Sequence, residues 1–364
     1  MKHMNDSICL YICKRDEEGA LLRYNFDPQA CVLTKMGTED VLRYVACLAI
    51  NKTYLYTSSL DCAGNNLFSA YSIQHDDKLQ LINRQAASGF DATYISLNPQ
   101  TESLVASDFL ASTLLFYGFR SDGGIGKFRQ LLQFQDKGAI VGPRQDASHP
   151  HCTIAAEGGS ILLTADLGCD KLRLLNGTGS VCQISEATVP AGSGLRHLAV
   201  HPTRNVVYAI SEISSDIFVF RFNTCGELKL TQTLSNLHCS GRDGSIGGDI
   251  AVSPNGKWLA ASNRGENNIV LYEIDGNGAI YYHDTVKTDG WARILRFDAA
   301  SEYLFAILEE FIDVGAYSFP AERCASTGGI QIFHLDAAQN EFQDTGIRET
   351  IPKAYAAAVL DGRK

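Results

Sequence analysis

The sequence predicts an all-β fold, a seven-bladed β-propeller of four-stranded antiparallel blades. Residues 196–220 and 248–274 carry this prediction, because each segment reads as three short apolar strands joined by turns. The proline that follows the first strand recurs at a blade-like spacing. Pro99 and Pro202 lie 103 residues apart, which is two repeats, and Pro202 and Pro254 lie 52 apart, which is one. A four-stranded blade has roughly 40–50 residues. No helical periodicity competes with this repeat.

Six copies of the three-strand pattern follow one another along the chain. They cover residues 46–73, 93–119, 150–175, 196–220, 248–274 and 292–335. The remaining segments Ser7–Cys13, Leu21–Phe26 and Tyr355–Leu360 also read as strands. Paired with one another, they complete a seventh blade and leave no exposed sheet edge. We therefore predict that residues 1–364 form a single propeller domain, closed by N- and C-terminal strands that share one blade.

The composition is that of an ordinary globular protein and excludes several functions. Of the 364 residues, 45% are hydrophobic and 20% charged, and 31 Lys and Arg against 41 Asp and Glu give a formal net charge of −10. No basic block is present, so no nucleic acid partner is expected. The first residues lack the layout of a signal peptide, and no apolar run approaches the roughly 20 residues needed to cross a bilayer. We expect a cytoplasmic protein without a membrane partner.

The cysteines and histidines do not indicate a metal site. The 11 cysteines are scattered from Cys9 to Cys324 without a Cys-x-x-Cys pair, which is typical of neither a zinc site nor a disulfide framework. His149 and His151 flank Pro150, but a third ligand at a suitable spacing is missing. We therefore expect no metal and no cofactor.

Polar residues stand out against the apolar strands of the repeat. When the copies are aligned on the proline, four charged residues share one register directly after the second strand: Asp166, Glu212, Arg264 and Glu309. The same alignment pairs Arg196 with Arg293 at the start of the first strand. It places His151 with His197 one position later. First strands line the channel of a propeller, so these side chains are predicted to meet at one channel mouth, where they would attract a small anionic substrate.

Structural roles compete with functional ones at several of these positions. Asp166 lies in a blade turn, where a carboxylate commonly accepts hydrogen bonds from backbone N–H groups, and that role is favoured. Glu212 and Arg264 would form a salt bridge between neighbouring blades if they were structural, but a functional role is favoured. His197 is expected to alternate away from Arg196 along the strand and to be structural.

A set of motifs between residues 150 and 265 goes beyond the blade pattern. They are Pro150–Cys152, Ala165–Lys171, Gly192–Pro202, Ser211–Glu212, Asp249–Gly256 and Ser262–Gly265. These motifs resemble the lactonase family of seven-bladed propellers, which includes bacterial 6-phosphogluconolactonases and fungal 3-carboxy-cis,cis-muconate lactonizing enzymes. The resemblance implies a metal-free active site at the channel mouth, with catalytic residues at His151, Arg196, Glu212 and Arg264. We add as candidate substrate-binding residues Arg293, Glu309, Tyr94 and Asp166.

The resemblance implies lactone chemistry on a small anionic substrate. Hydrolysis of a sugar-acid lactone is favoured, with Glu212 or His151 as the base, and with Arg196 and Arg264 holding the substrate and the oxyanion. A cycloisomerase that forms a lactone from an unsaturated carboxylic acid would use the same residues. A non-catalytic interaction scaffold is the third alternative.

Two features fall outside the regular repeat. His151 lies one position later than the equivalent of Arg196, so a local β-bulge is needed for both side chains to face the channel. The insertion Phe311–Thr327 interrupts blade six and is interpreted either as a lid over the pocket or as a long loop. The sequence predicts no oligomeric state.

Overall fold

The computed structural model confirms the predicted architecture. The structure describes residues 7–87, 89, 92–136, 138, 142–237, 244–310, 326–336 and 340–360. These residues form seven antiparallel sheets of four strands each, and every sheet is one blade of the propeller. No helix in the described ranges is long and apolar enough to cross a membrane. Most of the predicted insertion, 311–325, lies outside the described residues.

Three strands precede the first complete blade, and blades 1 to 3 follow in chain order. The first three strands are β1 (Ile8–Lys14), β2 (Ala20–Asp27) and β3 (Val32–Val41). Blade 1 consists of β4 (Arg43–Ile50), β5 (Tyr54–Leu60), β6 (Asn66–Ile73) and β7 (Leu79–Ala87). Blade 2 consists of β8 (Ala92–Asn98), β9 (Ser103–Asp108), β10 (Thr113–Phe119) and β11 (Ile125–Gln133). Blade 3 consists of β12 (Pro150–Ala156), β13 (Ile161–Asp166), β14 (Lys171–Asn176) and β15 (Gln183–Thr188).

Blades 4 to 6 and the closing strand complete the ring. Blade 4 consists of β16 (Leu195–Val200), β17 (Val206–Ser211), β18 (Asp216–Phe222) and β19 (Leu228–Ser235). Blade 5 consists of β20 (Ile246–Val252), β21 (Trp258–Arg264), β22 (Asn268–Ile274) and β23 (Ile280–Lys287). Blade 6 consists of β24 (Trp291–Phe297), β25 (Tyr303–Glu310), β26 (Thr327–Asp336) and β27 (Glu341–Thr350), and β28 is Ala354–Leu360. Within the described part of the chain, two 3-10 helices lie at Gly142–Arg144 and Glu157–Gly159.

The two ends of the chain share blade 7, as predicted. Its strand order is β28-β1-β2-β3, and β28 pairs antiparallel with β1 so that Tyr11 lies opposite Ala358. The seven innermost strands, β4, β8, β12, β16, β20, β24 and β28, each contact the innermost strands of both neighbouring blades. The ring of described strands is therefore closed around a central channel, and each blade has a neighbour on both sides.

The core lies between adjacent blades, which explains the apolar middle strands. Every residue of β17 is buried, because one face of this strand packs on blade 3 and the other on blade 5. Tyr208 and Ile210 pack against Leu259 and Val270 of blade 5, for example. The outermost strand β19 instead alternates between partly buried and exposed residues, as expected for a strand with one face in solvent.

A β-bulge recurs near the start of the innermost strands and shapes the channel end. The pairing with the second strand skips one residue in each of four blades, and the skipped residues are Thr93, His151, Arg196 and Arg293. In β20 the bulge contains Gly248 and Asp249. Because a bulge adds a residue to one strand and re-aims the side chain, it presents these residues at the same end of the channel.

The bulges correct two details of the predicted register. His151 was aligned with His197, but the pairing places it at the position of Arg196 and Arg293, each skipped in its own strand. The side chains of Arg196 and His197 also do not lie on opposite faces of the strand, because the bulge interrupts the alternation of side chains. Nη1 of Arg196 lies 3.2 Å from Nε2 of His197. The prediction that His197 turns away from Arg196 was therefore wrong.

Candidate active site

Three charged residues at the ends of the second strands, Glu212, Arg264 and Glu309, converge on the bulges, and Glu212 is at the centre. Its Oε2 atom accepts hydrogen bonds from Nε of Arg196 and from Nη2 of Arg264, both at 3.0 Å. Its Oε1 atom accepts one from Nη2 of Arg144. Glu212 follows β17 of blade 4, and Arg264 is the last residue of β21 in blade 5. The ion pair of Glu212 with Arg264 between neighbouring blades, which was the structural alternative for these two residues, therefore exists.

A second carboxylate extends this cluster into blade 6. Oε2 of Glu309 lies 2.9 Å from Nη1 of Arg293 and 3.9 Å from Nη1 of Arg264. The Arg293 guanidinium also stacks over the ring of Tyr355, at 3.7 Å from the centroid. The cluster thus contains four arginines and two glutamates among the described residues. With neutral histidines beside it, this set carries two more positive than negative charges, in line with the predicted affinity for an anion.

Burial makes these charges act strongly on one another. Burial by itself would raise the pKa of Glu212, but Arg144, Arg264 and Arg196 outweigh it and hold that pKa well below its usual range. Burial, together with the charges of Arg264 and Arg293, lowers the pKa of Arg196 to about 9, so the guanidinium keeps its charge at pH 7. Glu212 is therefore a permanent anion that holds arginines together, which makes it a poor proton acceptor.

His151 is the candidate base that carries no charge at rest. Its side chain is buried, with ring centroids 5.1 Å from His197 and 5.7 Å from Phe109. Burial and the charge of Arg196 lower its pKa well below the ordinary value, which leaves a neutral imidazole at pH 7. Its Nδ1 atom is buried without a hydrogen-bond partner among the described residues. A neutral imidazole has one nitrogen that accepts a proton, so the ring can take one up from a bound molecule.

Sequence reasoning missed Arg144 and underrated His197. Arg144 follows β11 in the 3-10 helix before blade 3, and its guanidinium stacks over Phe109 at 4.7 Å from the centroid. It belongs to a loop outside the blade repeat, so alignment of the copies gave no signal for it. His197 donates from Nδ1 to Oδ1 of Asp249 at 2.6 Å, and its ring contacts Tyr94 with centroids 5.3 Å apart. Tyr94 therefore borders the site through His197.

Asp166 stands apart from this cluster. It pairs with Pro150, as Ser211 pairs with Leu195, so it occupies the position of Ser211 rather than that of Glu212. The prediction that it shares the register of Glu212 was wrong. Since successive side chains of a strand point to opposite faces, its carboxylate faces away from the cluster and binds Arg173 at 2.7 Å. These contacts support the structural role, and we leave Asp166 out of the proposed site.

Replacing Asp166 with asparagine is expected to destabilise the fold and spare activity. The carboxylate is fully buried and also accepts hydrogen bonds from Ser148 Oγ and from the backbone N–H of His149, so losing its charge should cost about 2 kcal/mol or more of the free energy of unfolding. Urea denaturation measures that loss, with D136N as the control, because Asp136 binds the same Arg173 from a more exposed position. A loss of turnover at unchanged stability would contradict the assignment.

A metal is not evident in this geometry. No three His, Cys, Asp or Glu side chains in the described ranges are grouped as metal ligands. What the geometry defines is a class of protein, a seven-bladed propeller with a buried arginine and glutamate cluster at one end of its channel. The chain belongs to the family described as "Lactonase, 7-bladed beta-propeller", whose model matches residues 10–323.

Relatives with assigned names cover most of the chain. It is 26% identical over 303 residues to the 6-phosphogluconolactonase of Bacillus subtilis (strain 168), which covers 82% of this chain and 86% of that protein. It is 31% identical over 282 residues to the 6-phosphogluconolactonase of Pectobacterium carotovorum, covering 75% and 80%. The solved structure of the periplasmic gluconolactonase of Pseudomonas aeruginosa matches with a TM-score of 0.84 at 19% identity, covering 97% and 99%. That last likeness shows the fold alone.

Proposed function

We propose that this protein is a lactonase that hydrolyses a sugar-acid lactone carrying an anionic group, of the kind that 6-phosphogluconolactone represents. The observation that carries the proposal is the buried excess of arginine beside the neutral imidazole of His151. Arginine holds carboxylate and phosphate groups through paired hydrogen bonds, and the relatives named 6-phosphogluconolactonase support this substrate class. A cytoplasmic location stays a prediction.

Ring opening needs a proton acceptor and a positive charge at the carbonyl. In the proposed reaction, His151 takes a proton from water as the water oxygen attacks the lactone carbonyl. Arg196 and Arg264 stabilise the oxyanion that forms. When the bond from the carbonyl carbon to the ring oxygen breaks, the imidazolium of His151 returns its proton to the leaving alkoxide. The products are the open hydroxy acid and the regenerated neutral histidine.

The remaining site residues receive supporting roles in the proposal. Glu212 keeps Arg144, Arg196 and Arg264 together as their shared counter-ion. Arg293 is paired with Glu309 one blade further on, where the pair would bind the distal part of the substrate. The cycloisomerase alternative would use the same groups, and nothing in the site favours it over hydrolysis. A pure scaffold would not require four arginines at one channel end, where their burial is costly.

The direct test is proton NMR of the purified protein with 6-phosphogluconolactone and, in parallel, with 3-carboxy-cis,cis-muconate. We expect the phospholactone to open faster than its uncatalysed rate, and the Arg264→Ala variant to lose about 10²–10³-fold in kcat, the usual effect of removing one oxyanion contact. Arg221→Ala serves as the control variant, because the Arg221 side chain is exposed on β18. Lactone formation from the muconate instead would overturn hydrolysis in favour of cyclisation.

A further inference from the structure

His197 and Asp249 form a buried pair that touches the arginine cluster without belonging to it. Nδ1 of His197 lies 2.6 Å from Oδ1 of Asp249, and Nε2 of the same ring lies 3.2 Å from Nη1 of Arg196. Both side chains are about 95% buried. The mechanism proposed above gives neither residue a role, so the pair requires its own explanation.

The hydrogen bonds determine which ring nitrogen of His197 carries the proton. The carboxylate of Asp249 can only accept, so Nδ1 must be the donor in the short contact with it. A guanidinium can only donate, so Nε2 must accept the hydrogen bond from Arg196. Both requirements are met by a single form, the neutral imidazole protonated on Nδ1. Burial and the charge of Arg196 lower the pKa of His197 to about 3, in agreement with this neutral form.

Asp249 is itself held rigidly by two blades. Its Oδ2 atom accepts hydrogen bonds from the backbone N–H of Leu295 at 2.9 Å and from Nη1 of Arg296 at 3.0 Å, both in β24 of blade 6. Its Oδ1 atom also accepts the backbone N–H of Ile250 at 2.9 Å in blade 5. The contacts therefore run from blade 6 through Asp249 and His197 to Arg196 in blade 4.

The hydrogen bonds of Arg196 show what this connection accomplishes. Its Nε atom binds Glu212, while Nη1 binds both His197 and, at 2.6 Å, the carbonyl oxygen of Gly248. Nη2 makes no hydrogen bond to any residue that the structure describes. The two occupied edges fix the plane of the guanidinium, and Nη2 is the donor left for a substrate oxygen.

We propose that His197, oriented by Asp249, is a positioning residue that aims Nη2 of Arg196 at the reacting carbonyl oxygen. The assignment of that oxygen rests on the proposed lactonase function. The orientation of the guanidinium rests only on the contacts described above. A donor aimed in advance at a developing oxyanion contributes to the transition state more than to substrate binding, so the effect is expected in kcat rather than in KM.

Replacing Asp249 with asparagine tests the orientation most directly. The amide would keep its oxygen toward Leu295 N–H and Arg296, because two donors face it there and only the N–H of Ile250 faces the other side. Its NH2 group would then turn toward His197. The imidazole alone can adapt, by moving its proton from Nδ1 to Nε2, a change of tautomer known to disable a catalytic histidine. Nε2–H would then face Nη1 of Arg196, donor against donor, and the guanidinium would lose its orientation.

Two substitutions of His197 separate orientation from packing. A glutamine carbonyl reaches the position of Nε2 and can accept from Arg196, whereas the shorter asparagine reaches only the position of Nδ1. We expect H197Q to retain kcat within about threefold, and H197N and D249N to lose tenfold or more, with KM changed less than kcat. The control is H201Q. His201 is a buried histidine just beyond the same strand, and its Nε2 atom forms a hydrogen bond with the carbonyl oxygen of Gly256. Equal losses in H197Q and H197N, or full activity in H197N, would overturn the proposal.

A second measurement does not depend on turnover. The ¹⁵N chemical shifts of the His197 imidazole report its tautomer, with ¹⁵N-histidine labelling and H197Q to assign the signals. The proposal requires the Nδ1–H form in the native protein and the Nε2–H form in D249N. An Nε2–H or doubly protonated ring in the native protein would overturn it. If the native protein opens no lactone but shows the Nδ1–H form, the proposed function fails while the orientation of Arg196 stands.

Discussion

Replacing His151 with glutamine is expected to lower kcat for lactone opening by about 10²–10⁴-fold, the usual contribution of a general base. Glutamine has a similar length but cannot take up a proton from the attacking water. The fold should be largely unaffected, because Nδ1 of His151 has no hydrogen-bond partner among the described residues and the contacts of the ring with Phe109 and His197 are edge contacts. Steady-state kinetics beside thermal denaturation measure both effects.

The pH profile of the native protein gives the matching control for this variant. The neutral imidazole is the active form, so kcat/KM should fall as the pH drops through the pKa of His151. Burial and Arg196, with smaller contributions from His197 and Arg144, lower that pKa well below 6.5, while Glu212 opposes them. Activity should therefore persist below pH 6.5, and the acidic limb should vanish in H151Q. An unchanged limb in the variant, or full turnover, would contradict the role of His151.

Replacing Glu212 with glutamine is expected to be the most destabilising single substitution in the site. Three arginines, Arg144, Arg196 and Arg264, share this one carboxylate. Its neutralisation leaves buried like charges facing one another, and breaking a buried ion pair by removing one partner costs about 3–5 kcal/mol. Urea denaturation should show this loss in the free energy of unfolding, accompanied by a severe loss of activity because the arginines no longer converge.

A double variant separates this charge effect from general damage to the core. Adding Arg264→Met to Glu212→Gln removes one of the opposing charges and should recover part of the lost stability, so that the two changes are not additive. Glu212→Asp keeps the charge and should destabilise less than Glu212→Gln. A loss below about 1 kcal/mol in Glu212→Gln, within the ordinary range for single substitutions, would show that the carboxylate does not hold the cluster together.

The blade architecture could be predicted because it depends on local patterns. Apolar middle strands, polar turns and a constant repeat length are properties of short segments, and the ring has to close to cover its sheet edges. The same reasoning placed Glu212, Arg264 and Glu309 together, since equivalent positions of successive blades meet at the same end of the channel. Arg196 and Arg293 follow for the same reason, at equivalent positions of the innermost strands.

The remaining details of the site arise from contacts between distant segments. In the sequence, Asp166 follows an apolar run just as Glu212 does. In the structure the strand pairing places it one position earlier than Glu212, at the position of Ser211, and its carboxylate faces Arg173. Arg144 lies on a loop without a repeat, so only the assembled ring brings it to Glu212, 68 residues further along the chain. Bulges likewise depend on pairing between strands rather than on the residues in one strand.

The sequence by itself determined the seven blades, the closure by both chain ends and the gathering of five charged residues at one channel mouth, namely Arg196, Glu212, Arg264, Arg293 and Glu309. Only the tertiary structure decided how these charges are paired and that His151 is a neutral histidine whose Nδ1 atom has no hydrogen-bond partner among the described residues. It also decided that His197 faces Arg196 with Asp249 behind it. The physical reason is that strand patterns are set by neighbours along the chain, whereas hydrogen-bond partners, burial and the resulting pKa values are set by neighbours in space.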